Sequence, residues 1–323
     1  MEIVRSFTGA RRGPRNAVNP SRPYAFLMEQ ERSEPGEPVS VATVFLTNRE
    51  CPWQCIYCDL WKNTTTETVL PGAIPAQIDF ALAQPGLASA RQIKLYNAGS
   101  FFDPKAIPPE DYTAIAERVR GFERVIVECH PALLGESALR FRNQLGATTE
   151  PKLEIAMGLE IADDAILARL NKRMTLAIFA RAANFLREHN IAVRAFVIVK
   201  PPFVRTDQEA IDFARRSIDF AFHCGAGVVS LIPARFGTQD LDILARTGDF
   251  APPQFDTLEG ALDYGVGLQQ GRVFADLWDV ENLGGCCRCL PERVARLREM
   301  NLTQTVQPRI VCSHDVPVCP ARA

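Results

Sequence analysis

At 323 residues the chain can form one large domain or two smaller ones, with ample length for a core. Its 47% hydrophobic and 23% charged residues are those of an ordinary globular protein, which excludes fibrous, low-complexity and disordered classes. The net charge of −2 conceals an asymmetry: residues 1–25 hold five Arg against one Glu, residues 286–323 hold six Arg against two Glu and one Asp, and the body between is acidic. Such ends are solvated tails, or a phosphate-binding surface if they meet in space. No long apolar run follows the basic start MEIVRSFTGARRGPR, so neither export nor a membrane span is expected. The ten cysteines then belong in a reducing cytoplasm, some of them in metal or redox use.

Residues 1–40 are rich in Pro, Arg and Glu without clear periodicity and read as an extension that wraps a surface. VATVFLTN (41–48) is a β-rich apolar run that stops just before Cys51. IKLYNAGS (93–100), RVIVECHP (124–131), LEIAMGLE (153–160), AVRAFVIVK (192–200) and GVVSLIPAR (227–235) repeat that form, as strands buried on both faces do. Helical patterns lie between them: AQIDFALAQ (76–84), DYTAIAERVRGF (111–122), ESALRFRNQL (136–145), TLAIFARAANFLREHN (175–190) and QEAIDFARRSIDFAFHC (208–224). In the fourth, Phe179, Ala183 and Leu186 share one face while Arg181, Arg187 and Glu188 can meet water, and Asn190 suits a C-cap. Six strands alternating with helices predict a parallel sheet with right-handed crossovers, either doubly wound or a partial barrel. In both, ligands bind at the carboxyl ends of the strands.

The run CPWQCIYCDLW places Cys51, Cys55 and Cys58 on one loop behind the first of these strands, with Tyr57 before the last thiol. Three soft donors suit an iron–sulfur cluster or zinc. A structural zinc knuckle wants a fourth Cys or His close by, and no His precedes His130. A triplet therefore points to a cluster with one metal position left open for chemistry.

These residues resemble the signature of the radical S-adenosylmethionine (SAM) superfamily: three cysteines at this spacing with an aromatic before the third. The resemblance implies an α/β fold, a partial six-stranded (β/α) barrel over residues 41–235, with an N-terminal extension (1–40) and a small Cys-rich capping region (236–323). It implies a [4Fe-4S] cluster on Cys51, Cys55 and Cys58, and SAM cleaved to a 5′-deoxyadenosyl radical for hydrogen abstraction. Tyr57 would lend backbone groups to adenine. Asn97, Ala98, Gly99 and Ser100 stand where the family holds SAM's amino group, although the usual Gly-Gly-Glu is missing here. Glu160 is placed to accept ribose hydroxyls, or to serve the helix starting at Asp163-Asp164. Lys200 ends a buried strand and needs an anion: SAM's carboxylate, an anionic substrate, or a salt bridge to Glu160 or Glu128. Glu128 and His130 lie at the depth of the reacting carbon, as catalytic candidates. Cys129 and Cys224 read as small buried apolar residues.

Cys286, Cys287, Cys289, Cys312, His314 and Cys319 fall close together in sequence and suggest a second four-ligand site, zinc or Fe–S, formed by four of them. NRECPWQCIYCDLW, KLYNAGSFFD, GLEIADDAILARLNKRMT and the terminal MNLTQ stretch resemble the archaeosine synthase radical SAM subunits, related to the Elp3-like branch. That implies C–N bond cleavage on a lysine-bearing 7-deazaguanine of tRNA, a low-potential electron donor, and tRNA or a tRNA-binding partner subunit. The competing expectations are a radical SAM enzyme of a small metabolite or natural-product intermediate, and a zinc-binding scaffold without turnover.

Overall fold

The computed structural model describes residues 13–146, 152–285 and 288–311. One sheet of eight strands organises them, and its strands follow one another in chain order. β1 (Ala25–Arg32) and β2 (Pro38–Leu46) form an antiparallel hairpin. From β2 onward every neighbour is parallel: β3 (Gln92–Asn97), β4 (Arg124–Glu128), β5 (Leu153–Glu160), β6 (Ala192–Val199), β7 (Val228–Pro233) and β8 (Arg272–Ala275).

The crossovers carry α1 (Ala73–Leu82), α2 (Tyr112–Val119), α3 (Glu136–Leu145), α4 (Asp164–Arg169), α5 (Leu176–Glu188), α6 (Asp207–His223), α7 (Gln239–Thr247) and α8 (Phe255–Leu268). α9 (Leu290–Thr303) follows β8. α5 buries Phe179, Ala183 and Leu186 as its periodicity predicts, and Asn190 just beyond it takes a left-handed φ of 51°. α6 opens with a capping box, Thr206 with Glu209. No described helix is long and apolar enough to cross a membrane.

The expected count of six strands is thus corrected to eight, by β1 and β8 at the two edges. β1 hides from a pattern reading because its polarity is inverted. Phe26 and Met28 are exposed alongside Gln30, while Glu29 and Glu31 turn inward to ion pairs with Lys94. β8, with four residues, is too short for periodicity to register.

Residues two apart along a strand share a face, so one side of the sheet is built in layers. Near the amino ends of the parallel strands lies a charged layer. Lys94 of β3 meets Glu29 and Glu31, Arg194 of β6 meets Glu31 and Glu154, and Arg124 meets Glu154. Arg194 and Glu154 are only 2% and 1% exposed, a burial that is tolerable because each charge is matched. Above it sits an aromatic layer, in which Tyr96 packs edge-on against both Phe45 and Phe196.

The same contacts define the curl. Glu31 on β1 reaches Arg194 on β6, and Arg272 on β8 donates to the Arg32 carbonyl on β1 at 3.0 Å. The strands therefore form a half-barrel whose edges approach each other at the charged end. α9 fills the seam with side-chain amides. Asn301 bonds both backbone groups of Ala275, and Gln304 both those of Val273, at 2.7–2.9 Å. The MNLTQ stretch is thus a cap on the open edge of β8, which would otherwise present unpaired backbone.

Candidate functional site

The cysteine loop leaves the carboxyl end of β2 and is anchored on several sides. Arg15 holds it from the N-terminal segment, bonding Glu50 at 2.6 Å, Thr64 at 2.7 Å and the Trp61 carbonyl at 3.1 Å. The turn after β7 holds it from below: Thr238 donates to the Ile56 carbonyl and Lys62 to the Gly237 carbonyl, both at 2.7 Å. The turn after α4 holds it from the side, where the Ile56 N–H donates to Leu170 and the Asn171 amide donates to Gln54.

Cys51, Cys55 and Cys58 are each partly buried. Burial pushes Cys51 to about 11 and Cys58 to about 12, both reinforced by neighbouring thiols, and burial together with Glu160 raises Cys55 as well. Without metal they are neutral thiols, so binding a soft metal must release their protons. Among the described residues no three His, Cys, Asp or Glu side chains gather closely enough to hold a metal ion.

The end of β3 packs directly on this loop. Gly99 has φ +147°, and a Cβ there would stand 3.4 Å from the Cβ of Cys51, so glycine is what lets the two turns meet. Ala98 is buried beside it. The Asn97 side chain is 2% exposed, and neither its Oδ1 nor its Nδ2 has a partner among the described residues. Ser100 is buried, and its hydroxyl accepts from the His130 N–H at 2.8 Å.

Sequence reasoning overlooked Lys172. Its ammonium lies 2.5 Å from Glu160, and the two side chains are 12% and 7% exposed. Gly158 makes room for them, since a Cβ there would collide with both Glu160 Oε1 and Lys172 Nζ. Lys172 is held above its usual range by Glu160 and by the thiols of Cys55 and Cys51, against the cost of burial. Asn171 and Arg173 on either side both adopt φ of 57°, a conformation that only a supporting structure maintains. Glu160 itself sits at φ 64°, where β5 breaks register with β6. The helix cap once open to Glu160 belongs to Asp163, whose carboxylate accepts from Ile166. Tyr57 lies partly buried nearby, and desolvation of its phenol together with Glu160 raises it well above the usual range.

Glu128 ends β4 in the same mouth. Burial and the charge of Glu160 push its carboxyl to about 8, although Lys172 draws it down. His130 takes a different part from the one expected. Its Nδ1 accepts from the Ala132 N–H at 3.2 Å, so Nε2 carries the proton and donates to the Lys172 carbonyl at 3.0 Å. The ring stacks on Trp53 with centroids 3.9 Å apart, and burial lowers its pKa to about 4. Both nitrogens are committed, so His130 is a neutral bridge between the cysteine loop and the Lys172 turn and not a proton carrier.

No family model matches the chain. An uncharacterised protein of Methanocaldococcus jannaschii is 23% identical over 311 residues, 90% of this chain and 84% of that one. Archaeosine synthase subunit beta of Methanosarcina acetivorans is 25% identical over 226 residues, covering 68% of this chain and 64% of the relative, less than two thirds of its length. Among solved structures, an N-terminally truncated Elp3 from Methanocaldococcus infernus matches 62% of this chain and 51% of its own, at 15% identity and a TM-score of 0.48. The chain resembles the archaeosine synthase beta subunits. The relationship read from its motifs is the one its relatives display.

Within that resemblance some residues fall elsewhere than expected. Lys200 is buried with φ 58°, yet it pairs neither with Glu160 nor with Glu128. Its ammonium meets Asp207 at the start of α6, 2.8 Å away, and Asp207 also accepts from Gln254 and Thr257. Three of the six arginines of the basic C-terminal stretch are paired within the fold. Arg293 pairs with Asp256 and Glu259, Arg296 with Asp263 and Glu259, and Arg309 with Asp263. Cys289 is buried at the start of α9, whereas Cys286, Cys287, Cys312, His314 and Cys319 lie outside the described residues.

Proposed function

We propose that the chain is a radical SAM enzyme with a [4Fe-4S] cluster on Cys51, Cys55 and Cys58. The observation that carries this reading is the meeting of three elements at the strand mouth: the three-thiol loop, the Gly99 turn against it, and the buried Lys172–Glu160 pair beside it. Cys51, Cys55 and Cys58 are three soft donors on one loop and would hold such a cluster, leaving one metal position open. When bound, the cluster supplies the one electron that cleaves SAM to a 5′-deoxyadenosyl radical for hydrogen abstraction.

The chain's own residues bind and orient. Lys172 offers a buried cation for SAM's carboxylate, and Glu160 fixes the direction of that ammonium. The turn at Asn97, Ala98 and Gly99 brings backbone groups to the amino group, and the Asn97 amide holds an unused donor and acceptor there. Tyr57 would lend backbone to adenine. Glu128, protonated up to about pH 8, gives a hydrogen-bond donor at the mouth for a substrate or ribose oxygen. Lys200, tied to Asp207, reaches SAM only if that pair opens.

The substrate reading is radical C–N bond cleavage on a modified 7-deazaguanine in tRNA, with a partner subunit. It is supported by the relatives named archaeosine synthase subunit beta. A second reading, a small metabolite as substrate, draws support from the internal pairing of Arg293, Arg296 and Arg309, which leaves these cations little to offer phosphates. A second metal on four of the C-terminal cysteines and histidine remains part of the proposal. Metal per chain in a Cys51/Cys55/Cys58→Ala variant tests it: bound metal supports the site, and none refutes it. The first substrate test is salt-dependent retention of tRNA from cells lacking the gene. Tight retention that falls with ionic strength supports tRNA, and salt-indifferent weak binding moves the search to small molecules.

A further inference from the structure

The curl of the sheet encloses an open space. Phe45, Tyr96, Glu128, Phe196 and Ser230 stand on its inner face, and each is partly exposed while both its chain neighbours are buried. Register joins them into one surface. Phe45 lies beside Tyr96, Phe196 lies beside Ser230, and Glu128 follows Val127, the partner of Leu95. Exposure confined to the inward side chains describes a chamber inside the half-barrel. The buried ion pairs of Lys94 and Arg194 close it at the charged end.

Three O–H groups reach this chamber from one wall. Tyr96 and Glu128 come side by side from β3 and β4. Tyr24, just ahead of β1, packs on Phe45 with ring centroids 5.7 Å apart, and Phe45 in turn meets Tyr96 at 6.2 Å. Burial and the charge of Glu128 both raise the Tyr24 phenol above its usual range, so the two groups are within electrostatic reach. Glu128 keeps its proton up to about pH 8, so at neutral pH all three groups can donate. None of the three has a side-chain hydrogen-bond partner among the described residues, and none is sealed from solvent. Open donors above a layer of paired charges are placed for a ligand.

We propose that this chamber is a carboxylate subsite: Tyr24, Tyr96 and Glu128 donate to one carboxylate of the substrate, and Phe45 and Phe196 hold the hydrocarbon stem that carries it. A carboxylate offers two oxygens with about four lone-pair sites, enough for three donors, whereas a lone carbonyl oxygen offers about two. The inference rests on the radical SAM reading and deepens it, by giving the substrate of that site a carboxylate tail. This carboxylate is separate from SAM's own, which falls to Lys172 at the mouth.

The test is an anaerobic calorimetric titration of cluster-loaded, SAM-saturated protein, without reductant, with hexanoate and with hexanamide. The two probes share a stem, and only the first carries a charge. Hexanoate is expected to bind at least about 10-fold tighter, and Tyr24→Phe and Tyr96→Phe each to weaken it about 10- to 150-fold, the range for a hydrogen bond to a charged group. Affinity should fall as pH rises through about 8, where Glu128 loses its proton and repels the ligand. The groups facing Glu128 are Tyr24, Tyr96, and Lys172 with its partner Glu160; the phenols and the ammonium are all held above their usual ranges. Glu128→Gln, which keeps a donor and does not titrate, should bind without that fall. Unchanged circular dichroism and cluster absorbance show that each variant is folded. Equal affinity for acid and amide overturns the subsite, as does wild-type hexanoate affinity in both tyrosine variants. Absence of saturable binding also overturns it, leaving a chamber that holds water only. Deoxyadenosine formed from SAM once reductant is added tests the radical reading apart from this. Hexanoate bound by protein that forms none keeps the subsite and removes that reading, and the reverse removes the subsite alone.

Discussion

Replacing Lys172 by Met tests whether the pair at the strand mouth is as strongly coupled as its burial implies. With the side chains of Lys172 and Glu160 only 12% and 7% exposed, solvent screens their 2.5 Å contact little. Removing one partner of a buried pair leaves an uncompensated charge, at a cost of about 3–5 kcal/mol. The mouth is open to ligand, so the lower figure, about 3 kcal/mol, is expected. For a chain of this size that lowers the melting temperature of metal-free protein by about 4–5 °C. Lys172→Met/Glu160→Leu should cost less than the sum of the single changes, by about 0.5–3 kcal/mol. Urea and thermal unfolding of the four proteins give the cycle. A Lys172→Met change within about 0.5 kcal/mol of wild type, or strict additivity, refutes the argument that this ion pair is a buried, coupled unit.

Gly99→Ala must adopt a left-handed φ and crowd Cys51, so it should cost about 1–3 kcal/mol and lower the iron retained per chain; full iron content would contradict this. Glu128 has a folded pKa near 8, above that of an ordinary carboxyl, so the unfolded chain loses its proton first as pH rises. Its contribution to stability is therefore present at low pH and declines between about pH 4.5 and 8. Glu128→Gln should flatten that decline, and an identical slope in the variant would refute the assignment. His130→Phe keeps the stack on Trp53 but loses two hydrogen bonds, and should destabilise by about 1–3 kcal/mol. It should leave no pH limb near 6.5 to disappear from the activity profile, because the ring is already neutral there. Glu31→Gln strips a carboxylate from Lys94 and Arg194 at the charged end, and should cost about 3–5 kcal/mol while leaving SAM affinity unchanged.

The central strands were legible because their outward residues are apolar and β-branched, and the cysteine loop because its spacing is chemical. What escaped did so for physical reasons. β1 turns glutamates inward and leaves Phe26 and Met28 outside, the reverse of the hydrophobic alternation by which strands are recognised. Lys94, Arg124, Glu154 and Arg194 stood visibly in the strand runs, but only the curl of the sheet shows that they neutralise one another. Lys172 was present in a quoted stretch, and yet a lysine in a turn carries no period. Its signal was Gly158 two residues before Glu160, which makes space for the pair. Lys200 drew attention as the charged end of a buried strand, but the sequence could not show that Asp207 lies across from it. His130 looked catalytic for want of knowledge of its backbone partners, which the turn at Lys172 supplies.

The most direct measurement of the account is 5′-deoxyadenosine formed anaerobically from SAM and a strong reductant by reconstituted protein, alongside a Cys51/Cys55/Cys58→Ala variant. The account predicts nucleoside from the wild type, none from the variant, and a burst when the wild type receives tRNA from cells lacking the gene. Cluster-loaded wild type that makes no nucleoside, or colourless protein that binds only zinc at those three cysteines, would contradict it.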